Sequence, residues 1–298
     1  MPQCEVVVVG EVGRDLVLQA ARLPDAGGSE PVLSRRERLG GKGANQAVAM
    51  AQLGARVALL GVVGDDQAGA DVLGQARHDG IDVTHVLRRA GTSTALLVDV
   101  VAGGERRLLE DVPAGTLLTE ADVAGAEGLL RPAAYVAVQL QQPADAALAA
   151  ARLAASAGAR VVLDGAPQDP AAAEALLATA YAVRADAKEA ELLVGNELAT
   201  IDDVAAAARD VVGRGPALCA FGGPGGANVV AWPGGRVVLE PADDPVDTTG
   251  GGDSFVAGLT VALLRGRGAE QAARAAAGAT ASTVKRLGGR PGLSSLGE

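Results

Sequence analysis

The chain has 298 residues, 49% hydrophobic and 21% charged, enough apolar material for one large core or two smaller ones at ~100 to 200 residues per domain. Its 36 acidic and 26 basic side chains leave a formal net charge of -10, so a polyanion meets a repulsive field. The aromatics Tyr135, Tyr181, Phe221, Trp232 and Phe255 are too few for a base-stacking platform, and nucleic acid is not an expected partner.

The chain opens without a charged and apolar leader pattern; Met1 to Gly10 reads as a short strand, with Val6 to Val9 of the buried type. No helical period follows Gly10. Asp15 to Ala20 and Pro31 to Arg38 read as exposed strands parted by Pro24-Asp25-Ala26-Gly27-Gly28. A glycine turn at Gly40 then runs into an Ala-rich helix that stops at Gly54. Ala95 to Val101 and Arg106 to Asp111 form a second strand pair across Ala102-Gly103-Gly104-Glu105, a hairpin signal. These four strands, inserted at about 13–39 and 94–112, are expected to make one small sheet acting as a lid; the alternative is that they extend the main sheet.

After about residue 119, apolar runs alternate with helical ones: Tyr135 to Leu140, then Ala144 to Ala157; Arg160 to Asp164, then Pro170 to Thr179; Tyr181 to Arg184, then Lys188 to Val194. That is the βαβ rhythm of a parallel sheet with helices on both faces. The fold class expected is a doubly wound α/β sheet plus the lid, in one domain over 1–298. The longest uncharged stretch, Gly215 to Gly235, is broken by three prolines and several glycines, so no continuous membrane helix is expected there and a soluble, cytoplasmic protein is.

Cys4 and Cys219 lie far apart, and the only histidines, His78 and His85, sit in an ordinary helix-end stretch, so no zinc motif can be written. Proton abstraction must then fall to a carboxylate.

Two glycine-rich segments carry the chemistry. The first runs Gly40-Gly41-Lys42-Gly43-Ala44-Asn45-Gln46. It is no P-loop, since Gly43 follows Lys42, and no dinucleotide fingerprint, since Gln46 stands where the third glycine is needed. Small residues would let the backbone approach a ligand, with Lys42 and Asn45 as donors; a capped surface turn is the equal alternative. The second, Asp247-Thr248-Thr249-Gly250-Gly251-Gly252-Asp253, precedes the helical run Val256 to Arg265. Three glycines at a helix start aim several N–H groups one way, an anion nest reinforced by the helix dipole. Asp253 could take a proton there, ionised at its ordinary pKa of ~3.9. A plain capping aspartate is the competing reading, weakened by the conformational cost of three glycines.

Together, in this order and about two hundred residues apart, the segments resemble the two signatures of the ribokinase-like (PfkB) carbohydrate kinases, with Gly40 to Val48 nearest to the ribokinase branch. The resemblance runs from Val6 to about Leu293. It implies MgATP as donor, a sugar hydroxymethyl as acceptor with ribose foremost, and a homodimer through the lid. It makes Asp253 the base, with Gly250, Gly251 and Gly252 the anion hole. Asp15, Gly41, Lys42, Asn45 and Gln141 become sugar contacts. Asp186, Lys188, Gly222, Gly223, Gly225 and Gly252 fall on the nucleotide side. Glu189 would organise Mg²⁺ through water, and Asp247, Thr249 and Gly288 fall where a monovalent cation, K⁺, is held. On its own, Glu189 would read as a solvated helix residue. The pattern departs at Gly13 and Gln141, where the family has Asn and Glu, and at Asp186, Ala220, Gly251 and Gly292, for Asn, Thr, Ala and Ser. Other acceptors (fructose, another pentose, deoxyribose, a nucleoside) and a catalytically silent sugar- or nucleotide-binding protein are the alternatives.

Overall fold

A computed structural model describes residues 4–296 apart from 104, 168 and 170. Residues 1–3 of the first expected strand, Gly104 of the expected hairpin turn and Pro170 at the expected helix start lie outside the described residues.

In chain order the first half contains β1 (Val6–Val9), β2 (Gly13–Ala20), β3 (Val32–Gly40), α1 (Lys42–Gln52), β4 (Val57–Gly64), α2 (Gln67–His78), β5 (Val86–Arg89), β6 (Ala95–Ala102) and β7 (Glu105–Asp111). There follow α3 (Glu120–Gly125), α4 (Glu127–Leu130), β8 (Tyr135–Gln139), α5 (Ala144–Ser156), β9 (Arg160–Asp164), α6 (Ala171–Leu177), β10 (Ala180–Ala185), α7 (Ala187–Val194) and α8 (Ile201–Gly213). The chain ends with β11 (Leu218–Gly222), β12 (Asn228–Trp232), β13 (Gly235–Leu239), α9 (Gly251–Leu264) and α10 (Ala269–Thr283). The uncharged stretch 215–235 thus forms β11, β12 and their turn, and no helix of the described residues is long and apolar enough to cross a membrane.

Nine strands form one sheet in the order β13-β12-β11-β10-β9-β8-β1-β4-β5, parallel except that β12 runs against both neighbours. The valine run of β1 is buried throughout because helices cover both faces. Val6 and Val8 belong to the apolar cluster that includes Val48, Phe255 and Ala272 of α1, α9 and α10. Val7 and Val9 belong to the apolar cluster on the other face, which extends to Ala150, Leu176 and Val204 of α5, α6 and α8. Successive side chains of a strand alternate faces, so one short run ties two cores together.

A separate four-stranded sheet, order β3-β2-β6-β7, is built from the two hairpins expected as the lid. They are joined by a parallel pairing of β2 with β6, from Gly13 opposite Ala95 to Ala20 opposite Ala102.

The strand order reverses at β1, with β4 on one side and β8 on the other. A crevice opens at the carboxyl ends of strands where such a reversal occurs. The small sheet faces that end.

Candidate active site

At this reversal lies a cleft of about 450 Å³, roofed by the small sheet (Asp15, Leu97, Asp99, Arg106, Leu108, Glu110) and floored by strand ends and two helix starts. Gly41, Lys42 and Asn45 line it from the start of α1; Gln141 follows β8; Arg184 lies near the end of β10 and Asp186 caps α7; Thr248, Thr249, Gly250, Gly252 and Asp253 open α9.

At one end, Asp15 is gripped by the turn into α1. Its Oδ1 accepts from the Gly41 amide at 3.2 Å and its Oδ2 from Asn45 Nδ2 at 3.3 Å. Gly41 has φ +85, a conformation that side chains avoid, and this bend turns its amide onto the carboxylate. Burial raises the Asp15 carboxyl above its usual range.

At the other end, Asp253 is only 8% exposed in the first turn of α9. Gly250 precedes the helix in the left-handed region at φ +71, and no side chain caps it. The amides of Gly252 and Asp253 belong to the first turn, where a helix supplies no partners, and stay available to an anion. Gly251 departs from expectation: its amide donates to the Thr248 carbonyl, its carbonyl accepts from Thr280, and it faces α10 instead of the cleft.

The expected ionised Asp253 of ordinary pKa is corrected. Burial, and then the charge of Asp164, push its carboxyl up to about 7 against the pull of Lys42, Gln46 and Arg184. Gln46, fully buried, donates through Nε2 to Asp164 Oδ2 at 2.7 Å and to Asp253 Oδ1 at 3.2 Å. Arg184 Nη1 lies 3.0 Å from Asp164 Oδ1 and 3.8 Å from Glu189 Oε2, and Lys42 Nζ 3.2 Å from Glu189 Oε1. Burial alone would lower the Lys42 pKa, but Asp164, Glu189 and Asp253 raise it. Two cations and three acids thus form one connected polar floor.

The family model for pfkB family carbohydrate kinases matches residues 3–296. The chain belongs to that family. It is similar to the ribokinase of Bacillus subtilis, 31% identical over 98% of this chain and 97% of the relative. It is similar also to an ATP-dependent ribose-1-phosphate kinase of Halopiger xanaduensis, 32% identical over 96% of this chain and 93% of the relative. The solved structure of Arabidopsis thaliana ribokinase with ribose and ATP superposes with a TM-score of 0.82 at 24% identity, over 99% of this chain and 98% of that one. This PfkB chain is an ATP-dependent, ribokinase-like carbohydrate kinase.

A kinase of this family works with ATP and Mg²⁺. Among the described residues no cluster of three or more His, Cys, Asp or Glu could hold a metal. The carboxylate of Glu189, at N3 of α7 and 13% exposed, already accepts from Lys42 Nζ at 3.2 Å and from the Asp186 amide at 2.9 Å, so it could serve Mg²⁺, which keeps several of its waters, only through a bridging water. Asp186 caps α7, accepting from the Glu189 amide at 2.9 Å. Gly222 abuts that helix start, where a Cβ would sit 2.9 Å from the Ala187 amide. Gly223 and Gly225 lie in the turn after β11, and Lys188 is exposed; none of Gly222, Gly223, Gly225 and Lys188 lines the cleft. Asp247 ties two segments together, accepting from Thr249 N and Oγ1 at 2.9 and 2.7 Å and from the Gly288 amide at 2.8 Å.

The sequence reading missed Glu11, Asp164 and Arg184 and gave Gln46 no role. A signal was present: Asp164 and Arg184 are charged residues near the carboxyl ends of parallel strands, directly opposite one another in register, where α/β sheets place their ligands.

Proposed function

We propose that this kinase transfers the γ-phosphoryl group of MgATP to the hydroxymethyl oxygen of a sugar, with ribose foremost and ribose 5-phosphate as product. One observation carries the reading: a buried acid, Asp253, stands in the first turn of an uncapped helix inside a cleft that also holds Asp15, Asn45 and Lys42.

Asp253 takes the proton of the hydroxymethyl group as its oxygen bonds to the γ-phosphorus. The bond from that phosphorus to the bridging β–γ oxygen breaks, and ADP leaves with the electron pair. The amides of Gly252 and Asp253, with the positive end of α9, face the developing charge. Mg²⁺, held through water by Glu189, would neutralise phosphate charge. Asp15, Gly41, Lys42, Asn45 and Gln141 hold the sugar; Asp186 and the turn of Gly222, Gly223 and Gly225 flank the nucleotide, with Lys188 near it. The small sheet serves as the lid of a single ribokinase-like unit.

Asp247, Thr249 and Gly288 would adjoin K⁺, with Asp247 already accepting hydrogen bonds through both carboxylate oxygens. The outer strands of the small sheet expose Leu33 (65%) and Leu109 (64%), which supports a homodimer through the lid. A kinase that uses MgATP works where MgATP is, so we assign the protein to the cytoplasm.

The test is ADP release with MgATP against ribose, deoxyribose, other pentoses, fructose and a nucleoside, with and without K⁺. Turnover of ribose at the highest kcat/KM supports the reading. Tight binding of ATP and sugar without ADP formation would favour a silent binding protein.

A further inference from the structure

Glu11 lies two residues beyond the end of β1, at the crevice where the strand order reverses. Its backbone N–H donates to Gln139 Oε1 at 3.0 Å, and Gln139 Nε2 donates to Gln141 Oε1 at 2.8 Å. That chain bridges β1 and β8 and fixes two side chains at once. With its oxygen engaged, Gln141 keeps its amide hydrogens for the cleft.

The Glu11 side chain lines this cleft, is only 7% exposed, and leaves Oε1 buried without a hydrogen-bond partner. A buried acceptor without a donor is rare in folded proteins and is costly unless a ligand or water completes it. Room for a donor exists because Gly41 next to it has no side chain; a Cβ there would sit 3.2 Å from Oε1.

The charges around Glu11 are also lopsided. Asp15 and Glu110 line the same wall, while the cations that line the cleft are paired with other acids: Arg106 with Asp99 at 2.5 Å, Lys42 with Glu189 at 3.2 Å and Arg184 with Asp164 at 3.0 Å. Burial, and then Asp15 and Glu110, push the Glu11 carboxyl up to about 7, with Lys42 opposing. It can therefore both accept from and donate to a hydroxyl near neutral pH.

We propose that Glu11 is a substrate-contacting, specificity-determining residue that hydrogen-bonds an acceptor hydroxyl, and that the wall it forms with Asp15 and Glu110 restricts the acceptor to unphosphorylated sugars. The inference rests on the kinase reading and names its substrate class. A second phosphate on the sugar would face three carboxyl groups with no free cation among them.

The experiment compares wild type, Glu11→Gln and Glu11→Ala by ADP release, with ribose and with ribose 1-phosphate, alongside thermal-shift titration of each sugar without ATP. For Glu11→Ala, KM for ribose should rise roughly tenfold or more, the loss of one hydrogen bond to a charged group, while KM for ATP stays within about twofold. Wild type should favour ribose over ribose 1-phosphate by at least about a hundredfold in kcat/KM, as like charges at close range dictate. Glu11→Gln, which keeps an acceptor and a donor at the same place, should lose less than Glu11→Ala; a folded Glu11→Ala protein with unchanged ribose KM and unchanged ribose-induced thermal shift overturns the contact. Wild-type preference for ribose 1-phosphate overturns the acidic wall, and this arm stands even if both variants fold poorly. Absence of turnover with every sugar overturns the kinase reading itself, whereas turnover indifferent to Glu11 overturns only this inference.

Discussion

Gln46 and Asp253 are joined through one amide nitrogen, which donates to Asp253 at 3.2 Å while holding Asp164 at 2.7 Å. This amide gives one hydrogen to each of two buried acids, and its bond to Asp253 favours the charged form of that carboxyl. Removing it in Gln46→Leu should raise the Asp253 pKa further and carry the acid limb of the kcat profile to higher pH. About one pH unit is expected, the worth of one charge-assisted hydrogen bond. A kcat–pH profile of the variant checks this; an unmoved limb would show that Gln46 only fills space.

With Asp253 and Glu11 both near 7 in the free protein, kcat/KM for the sugar should fall as pH drops below about 7, because protonated Asp253 cannot accept the hydroxyl proton. Asp253→Asn should lower kcat by at least about 10² while the sugar still shifts the melting temperature. Near-normal turnover in that variant would refute the assignment of the base.

The same raised pKa values act on stability with a definite sign. Each acid binds its proton more tightly folded than unfolded, where carboxyls titrate near ~4, so stability is fullest in acid and declines as pH rises from about 4 to about 7. Asp253→Asn removes one of these charges. The ligand-free variant should melt a few degrees above wild type at pH 8, about 1 to 3 kcal/mol, and this advantage should shrink as the pH falls and be lost by about pH 4, where the acid is protonated in the folded and the unfolded chain alike. Scanning calorimetry at both pH values reads this out.

Much of this arrangement was legible in the sequence because it is local. Val6 to Val9, the two hairpins of the small sheet and the alternation after residue 119 each announce themselves by period and by turn residues. Gly41 and Gly250 were visible as glycines before a helix. What could not be read is what distant segments do to one another. The pKa of Asp253 depends on Asp164, Gln46 and Arg184, which lie on β9, α1 and β10. Glu11 gave no period or motif, and only the packing around it turned an ordinary acid into an orphaned one. The three-glycine nest and the family resemblance put Gly251 in the anion hole with its neighbours, yet the helix rotates it a third of a turn away toward α10.

Gly252 tests how tightly the floor is built. A Cβ on this residue would stand 2.6 Å from Arg184 Nη2, and Arg184 is held by Asp164 at 3.0 Å and Glu189 at 3.8 Å, so it cannot withdraw without leaving acids unpaired. Gly252→Ala should therefore cost about 1 to 3 kcal/mol of stability and lower kcat/KM for ATP by roughly ten- to a hundredfold, in the range for disturbing a preorganised oxyanion donor. Arg184→Met should be worse for folding, at about 3 to 5 kcal/mol, since it strands the buried Asp164 carboxylate. Pairing it with Asp164→Asn should recover part of that loss, because the partner charge then disappears as well. Denaturant midpoints of the single and double variants decide the point: simple additivity would mean that Arg184 and Asp164 do not act as a pair, and the rigid floor beneath the amide nest would lose its physical basis.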